Sequence, residues 1–281
     1  MINSSTVSNQ DYLISKAYAT EDHLSIRIQT HELYSQPQQD FTAWVLDLIP
    51  WKGNEIVLDA GCGAGLYIQP IRKRLTNRGK IISADLSFGM LSDVAKKESA
   101  SSSNLLNTNI MRLPIPDASC DILLANHVLY HVPDIQAALK EIKRVLQPGG
   151  YLIAATNAKD SMMKIIEQIE IAYQTLGDPI QIPPTPPRAS FSLENGVAFF
   201  EIEFCDFIVH RLESHLVFPD AKPVIAYTNS MRSFYEPQIS TSISWEAMLA
   251  EMEIQITREI KQNGEYRVAK TTGAFVAKNI G

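Results

Sequence analysis

Short apolar runs that alternate with helical stretches constrain the fold of this chain more than any other feature. Four such runs follow one another between residues 55 and 157: EIVLDA, KIISAD, CDILLAN and GGYLIAATN. They lack the regular polar alternation of a half-exposed strand, which predicts strands buried on both faces. Strands that alternate with helices in this way predict an α/β fold with a doubly wound, parallel sheet.

Apolar residues at helical spacing predict the helices. In IQAALKEIKRVLQ the apolar side chains fall on one stripe, and Asp134 stands where it could cap the helix. In HLSIRIQTHELY, Leu24, Ile28 and Leu33 fall roughly on one face, and DFTAWVLDLIP predicts a second short helix. Residues 1–50 therefore read as a polar start followed by helices.

The chain after residue 157 has a less regular pattern. SMMKIIEQIEIAYQTL and WEAMLAEMEIQITREIKQNG predict helices, whereas FEIEFCDFIVHRLESHLVF predicts extended chain. PIQIPPTPPR predicts neither a helix nor a central strand, because proline cannot donate a backbone hydrogen bond. EYRVAKTTGAFVAK predicts a closing strand or a hairpin.

A glycine-rich turn follows the first apolar run, in IVLDAGCGAGLYI. The dinucleotide fingerprint G-x-G-x-x-G would need glycine where this chain has Leu66. Asp59, two residues before the first glycine, would also repel a pyrophosphate. Two unit charges about 4 Å apart interact by roughly 4 kcal/mol at an effective dielectric near 20. The turn therefore favours a ligand that carries a positive group.

The second apolar run ends in Asp85, where a carboxylate at the tip of a strand can accept hydrogen bonds from both hydroxyls of a ribose. The ligand predicted from the two sites has a ribose, as a nucleotide does, and a cationic end, as a nucleotide does not. S-adenosylmethionine (SAM) fits both requirements, with a ribose, an ammonium group and a sulfonium.

Residues 55–157 closely resemble the core of class I SAM-dependent methyltransferases. The motifs that carry the resemblance are VLDAGCGAG, the acidic end of the second strand, RLPIPDASCDILLANHVLYHVPD and EIKRVLQPGGYL. The last two are typical of the branch that includes many small-molecule methyltransferases. The resemblance implies a Rossmann-like doubly wound, mostly parallel sheet with an antiparallel last strand. It also implies an N-terminal helical lid and a helical cap insertion.

These patterns divide the chain into four predicted parts. Residues 1–50 would form the N-terminal helical lid, and residues 51–157 the SAM-binding Rossmann-like core. Residues 158–263 would hold the remaining core strand together with cap segments that bind the acceptor. Residues 264–281 would form the closing strand of the core sheet.

The resemblance also implies contacts to the methionine portion, the ribose, the adenine and the sulfonium of SAM. The methionine portion would contact Asp59, Gly61, Gly63 and Gly65, and the ribose would contact Asp85. The adenine would contact Leu86, Met90, Asn109 and Ile110, and the sulfonium would contact Asn126 and His127. Many relatives carry aspartate where this chain has Asn109. An asparagine oxygen can still accept a hydrogen bond from the adenine amine.

Histidine supplies the candidate catalytic groups. His127 follows the apolar run CDILLAN, at the edge where open α/β sheets bind ligands. It is predicted to act as a base, to orient the acceptor, or only to line the pocket. His131 lies four residues later, but the zinc motif H-E-x-x-H would need glutamate at Val128, so no metal is predicted. His131 is instead expected to bond to backbone near Pro133.

The N-terminal helices could fold over the cofactor, as the corresponding region does in similar enzymes. Arg27 could pair with the SAM carboxylate or simply be solvated. Tyr18 and Tyr34 could face the sulfonium or pack in the core. His31 is the second candidate catalytic residue.

The later segments supply candidate walls of the acceptor pocket. They are Met162, Met163, Phe199, Phe218, Tyr227, Met231, Phe234 and Tyr235. Their aromatic and sulfur side chains are compatible with a small apolar or aromatic acceptor.

Composition and net charge limit the classes of molecule that the protein is expected to bind. The net charge is −6, with no basic run, which argues against nucleic acid and anionic lipid. No stretch reads as a signal peptide or a membrane span, and three distant cysteines predict no disulfide framework, so a cytoplasmic location is expected. The oligomeric state is left open.

The leading function is methyl transfer from SAM to O, N or C of a small organic acceptor. A lipid or macromolecule methyltransferase is an alternative within the same enzyme class. A protein that binds SAM or S-adenosylhomocysteine without catalysis is the alternative from another class, since a cofactor site does not fix a reaction. A nicotinamide-dependent oxidoreductase is the weakest reading, because of Asp59.

Overall fold

The structure is a computed structural model that describes residues 9–18, 22–97 and 104–281. Within these residues, eight strands form one sheet. The strands are β1 (Ser35–Gln36), β2 (Ile56–Ala60), β3 (Lys80–Asp85), β4 (Asn104–Asn107), β5 (Cys120–Leu124), β6 (Leu146–Asn157), β7 (Phe207–Phe218) and β8 (Tyr266–Lys278). Their order across the sheet is β1-β7-β8-β6-β5-β2-β3-β4.

Eleven α-helices accompany the sheet in the described part of the chain. They are α1 (Gln10–Tyr12), α2 (Asp22–Tyr34), α3 (Phe41–Leu46), α4 (Ile68–Arg74), α5 (Phe88–Lys97), α6 (Ile135–Val145), α7 (Met163–Thr175), α8 (Gly196–Glu203), α9 (Lys222–Ser230), α10 (Arg232–Tyr235) and α11 (Trp245–Asn263). A single π-helical turn, Leu13–Ala17, continues α1. None of the described helices is long and apolar enough to cross a membrane.

The strand directions confirm the predicted α/β architecture. Strands β2 to β6 run parallel to their neighbours among themselves, whereas β8 is antiparallel to both β6 and β7. The tail of the chain is therefore one long closing strand rather than a hairpin. The short strand β1 adds to the far edge, antiparallel to β7.

The central strands are buried on both faces, as their apolar runs predict. In β2, Leu58 packs in a cluster with Leu139 of α6, whereas its neighbour Val57 packs in a second cluster with Val45 of α3 and Ile71 of α4. Successive residues of a strand point to opposite faces, so each face needs its own helical cover.

Local capping explains where several helices begin. Asp134 accepts a hydrogen bond from the Ala137 backbone N–H at 2.9 Å, which starts α6 where the sequence predicts it. Ser244 accepts from the Ala247 N–H at 3.2 Å and starts α11, and Gly264 ends it with φ +84°. Such caps satisfy backbone groups that the helix itself leaves unpaired.

Two expectations about secondary structure are wrong. The segment FEIE was expected to be extended, but it ends α8, where Phe200 stacks on Phe275 of β8 with ring centres 4.5 Å apart. The strand β4 was not expected at all. It has four residues, none of them buried, and lies at the edge of the sheet, so its sequence carries no buried-strand signal.

A third expectation concerns the face that α2 turns inward. Leu24, Ile28 and Leu33 were expected to share one face, but Leu33 is 66% exposed. The residues that α2 buries are Arg27 and Thr30. The packing of α2 against α9 and β7 therefore places polar side chains inside the molecule.

Candidate cofactor and acceptor site

The glycine turn is held against the end of the neighbouring strand. The backbone N–H groups of Gly61 and Cys62 both donate to the Ala84 carbonyl, at 2.7 and 3.0 Å. Gly61 has φ +82°, and a Cβ there would lie 2.6 Å from the Val128 side chain. Both facts require glycine at this position, because L side chains disfavour this backbone conformation and no space remains for one.

Asp85 organises the turn from the tip of β3. One carboxylate oxygen accepts from the Gly63 N–H and the other from the Ser87 N–H, each at 2.8 Å. Burial raises the pKa of this carboxyl above its ordinary value, and the backbone donors oppose that shift. Each carboxylate oxygen has a further lone pair, so Asp85 can still accept hydrogen bonds from a ligand.

Asp59 is a buried acid with a free oxygen. Its side chain is 1% exposed, and Oδ2 is buried without a hydrogen-bond partner. Burial and, next, the charge of Asp85 raise the pKa of Asp59 from 3.8 to about 7. An unpaired buried carboxyl is costly, and a cationic group brought by a ligand would remove that cost.

Arg27 is the corresponding buried cation, on α2. Its guanidinium lies over the rings of Tyr18 and Phe234, at 5.3 and 5.8 Å from their centres. Nη1 donates to the Met231 sulfur at 3.3 Å, but Nε and Nη2 are buried without an acceptor. Arg27 is therefore not a solvated helix residue, and two of its donors are available to an anionic group.

Asn126 and His127 continue from the end of β5. Asn126 Oδ1 accepts from the Ala155 N–H at 3.0 Å, while its Nδ2 is buried without a partner. His127 has φ +54° and donates its backbone N–H to the Ala155 carbonyl at 2.8 Å. Burial and the charge of Lys270 lower the pKa of the His127 imidazole to about 4.

His31 lies on the same helix as Arg27. Its ring meets the Tyr227 ring edge-on at 5.8 Å, and its Nδ1 is buried without a partner. Burial is the main reason that its pKa falls to about 3, followed by the charges of Lys270, His127 and Arg27. Both candidate catalytic histidines are thus neutral at neutral pH, and each is affected by the same lysine.

His131 was expected to bond to backbone near Pro133, and this stays a prediction. Its Nε2 lies 2.8 Å from the Tyr18 hydroxyl, and its ring stacks on Phe234 at 5.7 Å. Tyr18 is thereby held between His131 and Arg27. Among the residues that the structure describes, no group of three or more potential ligands could hold a metal ion.

The remaining predicted cofactor residues are distributed around the turn. Met90 and Ile110 are buried, and Leu86 is partly buried and accepts through its carbonyl from Asn107 at 2.9 Å. Asn109 contacts Gln10 of α1, whose Oε1 accepts from its Nδ2 at 3.1 Å. Tyr34, by contrast, packs on Phe218 at 4.9 Å, which corresponds to the core-packing alternative.

Seven of the eight predicted wall residues of the acceptor pocket share one cluster. They are Met162, Met163, Phe218, Tyr227, Met231, Phe234 and Tyr235. Phe199 is the exception, because it packs with Phe191 in the cluster that covers α6. Phe199 therefore does not share the cluster of the other seven, and its place in the acceptor pocket stays a prediction.

The sequence interpretation missed two basic residues near these walls. Arg188 donates to the Met163 sulfur at 3.3 Å, and its charge reaches the hydroxyl of Tyr235. Lys270 lies on the inward face of β8, with Tyr266 and Val268. A lysine at an inward position of a closing strand was a visible signal, because such positions are ordinarily apolar.

The fold is an α/β fold, and its buried groups without partners include Asp59 and Asn126, near the carboxyl ends of the parallel strands β2 and β5. Residues 58–154 match a family model described as Methyltransferase domain. The chain is 40% identical over 112 residues to a malonyl-[acyl-carrier protein] O-methyltransferase of Serratia marcescens, covering 40% of this chain and 42% of that protein.

A second relative is a demethylmenaquinone methyltransferase of Staphylococcus aureus. The identity is 33% over 118 residues, which are 41% of this chain and 48% of that protein. The matched region thus spans less than half of the length of either relative. A Bacillus halodurans crystal structure, provisionally described as a methyltransferase, has a TM-score of 0.57 at 15% identity and covers 86% of this chain and 99% of that one. At this identity it shows a common fold only.

Residues 58–154 form a methyltransferase domain, and the predicted resemblance to class I SAM-dependent methyltransferases is confirmed. The relatives that match are named as methyltransferases, which supports the predicted enzyme class and SAM as the cofactor. The buried groups without partners suit this cofactor: a free carboxylate oxygen on Asp59 for an ammonium, and free donors on Arg27 for a carboxylate.

Proposed function

We propose that this chain transfers the methyl group of SAM to a small organic acceptor at the carboxyl edge of the sheet. The observation that carries the proposal is a pair of buried ionisable groups with polar atoms that lack a partner: Oδ2 of Asp59, before the glycine turn, and Nε and Nη2 of Arg27 on α2. Together they complement the ammonium and the carboxylate of one amino-acid group. A pyrophosphate would leave Asp59 without a partner and would repel it.

In this proposal the chain's own residues mainly bind and orient. Asp59 and Arg27 hold the amino-acid end, and Asp85 accepts from the ribose hydroxyls. Leu86, Met90, Asn109 and Ile110 hold the adenine. When bound, SAM supplies a methyl carbon that positively charged sulfur activates. Alignment of an acceptor with such a carbon can by itself lower a barrier by roughly 7–11 kcal/mol in the best cases.

His127 and His31 take an orienting role here. Histidine is an efficient general base when its pKa lies near the working pH. With pKa values of about 4 and about 3, the two imidazoles are weak bases at neutral pH. Each remains a neutral donor and acceptor of hydrogen bonds, which suits the positioning of an acceptor.

The walls favour an acceptor with an apolar or aromatic body. Tyr18, Tyr227, Met231 and Phe234 surround Arg27 and His31. Aromatic and thioether side chains bind flat or irregular apolar groups with little conformational cost. The acceptor therefore combines an apolar body with the nucleophilic atom that receives the methyl group.

A second candidate is an acceptor that a carrier protein presents. The relative named as a malonyl-[acyl-carrier protein] O-methyltransferase favours it. Transfer to a carrier-linked acid, with no transfer to the same acid when free, would decide for this candidate.

Calorimetric titration with SAM, S-adenosylhomocysteine and NAD(H) tests the function. We expect micromolar binding of the first two and none of the third; binding of NAD(H) alone would overturn the proposal. Asp85→Ala should weaken SAM binding by about 1–3 kcal/mol, because ribose hydroxyls lose their acceptor. Asp117→Ala, at an exposed acid that pairs with Arg144, is the matched control and should leave binding unchanged.

A further inference from the structure

Lys270 lies at the edge of the sheet where ligands of such folds bind. Strand β6 ends at Asn157, which pairs with Thr272 of β8. Because β8 runs antiparallel to β6, Lys270 lies two residues beyond this pair, past the carboxyl end of β6. His127 follows β5, the other neighbour of β6, and donates its backbone N–H to Ala155. Lys270 and His127 therefore extend from the same edge of the sheet.

The amine of Lys270 is directed toward Ser35, the residue that follows α2. Its Nζ lies 2.8 Å from Ser35 Oγ, and that hydroxyl donates to the His31 carbonyl. Burial lowers the pKa of Lys270 to about 8. Its charge in turn lowers the pKa values of His31 and His127. The three basic side chains, from α2, the end of β5 and β8, thus belong to one cluster.

This cluster has no acidic partner within the described residues. Lys270 forms no ion pair there, whereas Lys164, also near the carboxyl edge, pairs with Glu259 at 2.6 Å. The only hydrogen-bond partner of the Lys270 amine among those residues is neutral, the hydroxyl of Ser35. Lys270 is partly buried, and an ammonium withdrawn from water without a counter-ion is costly, so proteins ordinarily pair it or use it.

The charges of SAM do not supply the missing partner. Its one carboxylate is assigned to Arg27, and its ammonium to Asp59. Its sulfonium is positive and would repel Lys270. The negative charge that complements Lys270 must therefore come from the second substrate.

We propose that Lys270 binds an anionic oxygen of the acceptor, so that the acceptor is a carboxylate or the ionised form of an acidic hydroxyl. This inference rests on the proposed methyl transfer. His31 and His127, both neutral, hold the same group by hydrogen bonds. An acceptor oxygen then forms a bond to the methyl carbon while the carbon–sulfur bond breaks, and the bonding electron pair passes to sulfur. No proton is transferred, which agrees with the absence of a good general base.

Paired probes test the charge of the acceptor independently of turnover. We would titrate the S-adenosylhomocysteine complex of the protein with benzoate and benzamide, and with 4-nitrophenolate and nitrobenzene. We expect at least one anion to bind about 10–100-fold more tightly than its neutral counterpart. No preference for either anion would overturn the inference. The two arms distinguish a carboxylate from an ionised hydroxyl, and mass measurement after incubation with SAM identifies an ester or an aryl ether.

Three variants assign the preference to Lys270. Lys270→Met should abolish the preference for anions while it leaves S-adenosylhomocysteine affinity and the melting temperature in place. Lys270→Arg should restore part of it. Lys278→Met is the control, because Lys278 is an exposed lysine of the same strand, 5.8 Å from the centre of the Tyr151 ring. An anion preference that survives in Lys270→Met would overturn the assignment. Failure of the wild-type protein to bind S-adenosylhomocysteine would instead refute the proposed function.

Discussion

Helices α6 and α2 are of similar length, yet they bury opposite kinds of side chain. Helix α6 buries Ile142 and Val145 completely, together with its other apolar residues. Helix α2 buries Arg27 and leaves Leu33 66% exposed. The contrast shows that α6 belongs to the hydrophobic core, whereas α2 turns polar groups inward, where we propose that a charged ligand binds.

The buried groups packed around the two helices differ in the same way. Around α6 the buried side chains are mainly apolar, although Gln136 Oε1 of that helix is also buried without a partner. Around α2 the buried groups include free polar atoms on Arg27, His31, Asp59 and Asn126. Groups of this kind reduce the stability of the folded state. We propose that those on Arg27 and Asp59 are retained because they bind a ligand.

Truncation on α6 should produce the largest loss of stability. Ile142→Ala removes a fully buried side chain, and we expect the free energy of unfolding to fall by about 2–5 kcal/mol, because a cavity remains in the core. Denaturant titration measures the change. SAM affinity should be unaffected where the variant is folded, and Lys140→Ala, an exposed change on the same helix, should have little effect. Weaker SAM binding by fully folded Ile142→Ala would show that the region around α6 also determines the cofactor site.

Removal of the buried carboxyl of Asp59 should instead stabilise the folded protein. The folded-state pKa of about 7 exceeds the ordinary 3.8, so between these pH values the folded protein holds an extra proton and loses stability as the pH rises. Asp59→Asn should therefore raise the free energy of unfolding at pH 8 by up to roughly 4 kcal/mol, and by less at pH 5. Thermal unfolding at both pH values measures this.

The same variant should bind SAM more weakly, since the ammonium loses its anionic partner. A variant of Asp59 that is less stable at pH 8, or that binds SAM as well as the wild type does, would contradict our account of this carboxyl.

Arg27→Met tests the polar face of α2. We expect SAM and S-adenosylhomocysteine to bind about 10–100-fold more weakly, because the cofactor carboxylate loses charge-assisted hydrogen bonds. Stability should not fall, since two unpaired buried donors are removed. Calorimetry measures the affinities. 5′-Methylthioadenosine, which has no carboxylate, is the matched ligand and should bind equally to both proteins.

Exposed Arg258→Met is the matched control variant. An equal loss of affinity for 5′-methylthioadenosine would show that Arg27 supports the site only through packing.

Leu33→Ser should have the smallest effect. Leu33 lies on the exposed side of α2, so the free energy of unfolding should change by less than about 0.5 kcal/mol. Denaturant titration is again sufficient. A loss as large as that of Ile142→Ala would mean that α2 presents its apolar face to the interior, as the sequence alone suggests.

The core strands and the glycine turn could be predicted because their signals are local. Fully apolar runs need burial on both faces, and the turn needs glycine where the backbone passes close to Val128. Capping by Asp134 and Ser244 is equally local. The helical conformation of FEIE at the end of α8 could not be predicted, because it depends on the packing of Phe200 on Phe275, which are far apart in the chain.

The sequence by itself determined the sheet, its order of apolar strands and helices, and the cofactor turn with Asp59 and Asp85, since each follows from residues close together in the chain. Only the tertiary structure decided which face of α2 is buried and which basic groups meet. His31, His127 and Lys270 are separated by about a hundred residues or more along the chain. They form one cluster because antiparallel β8 carries Lys270 past the end of β6, where α2 covers the sheet.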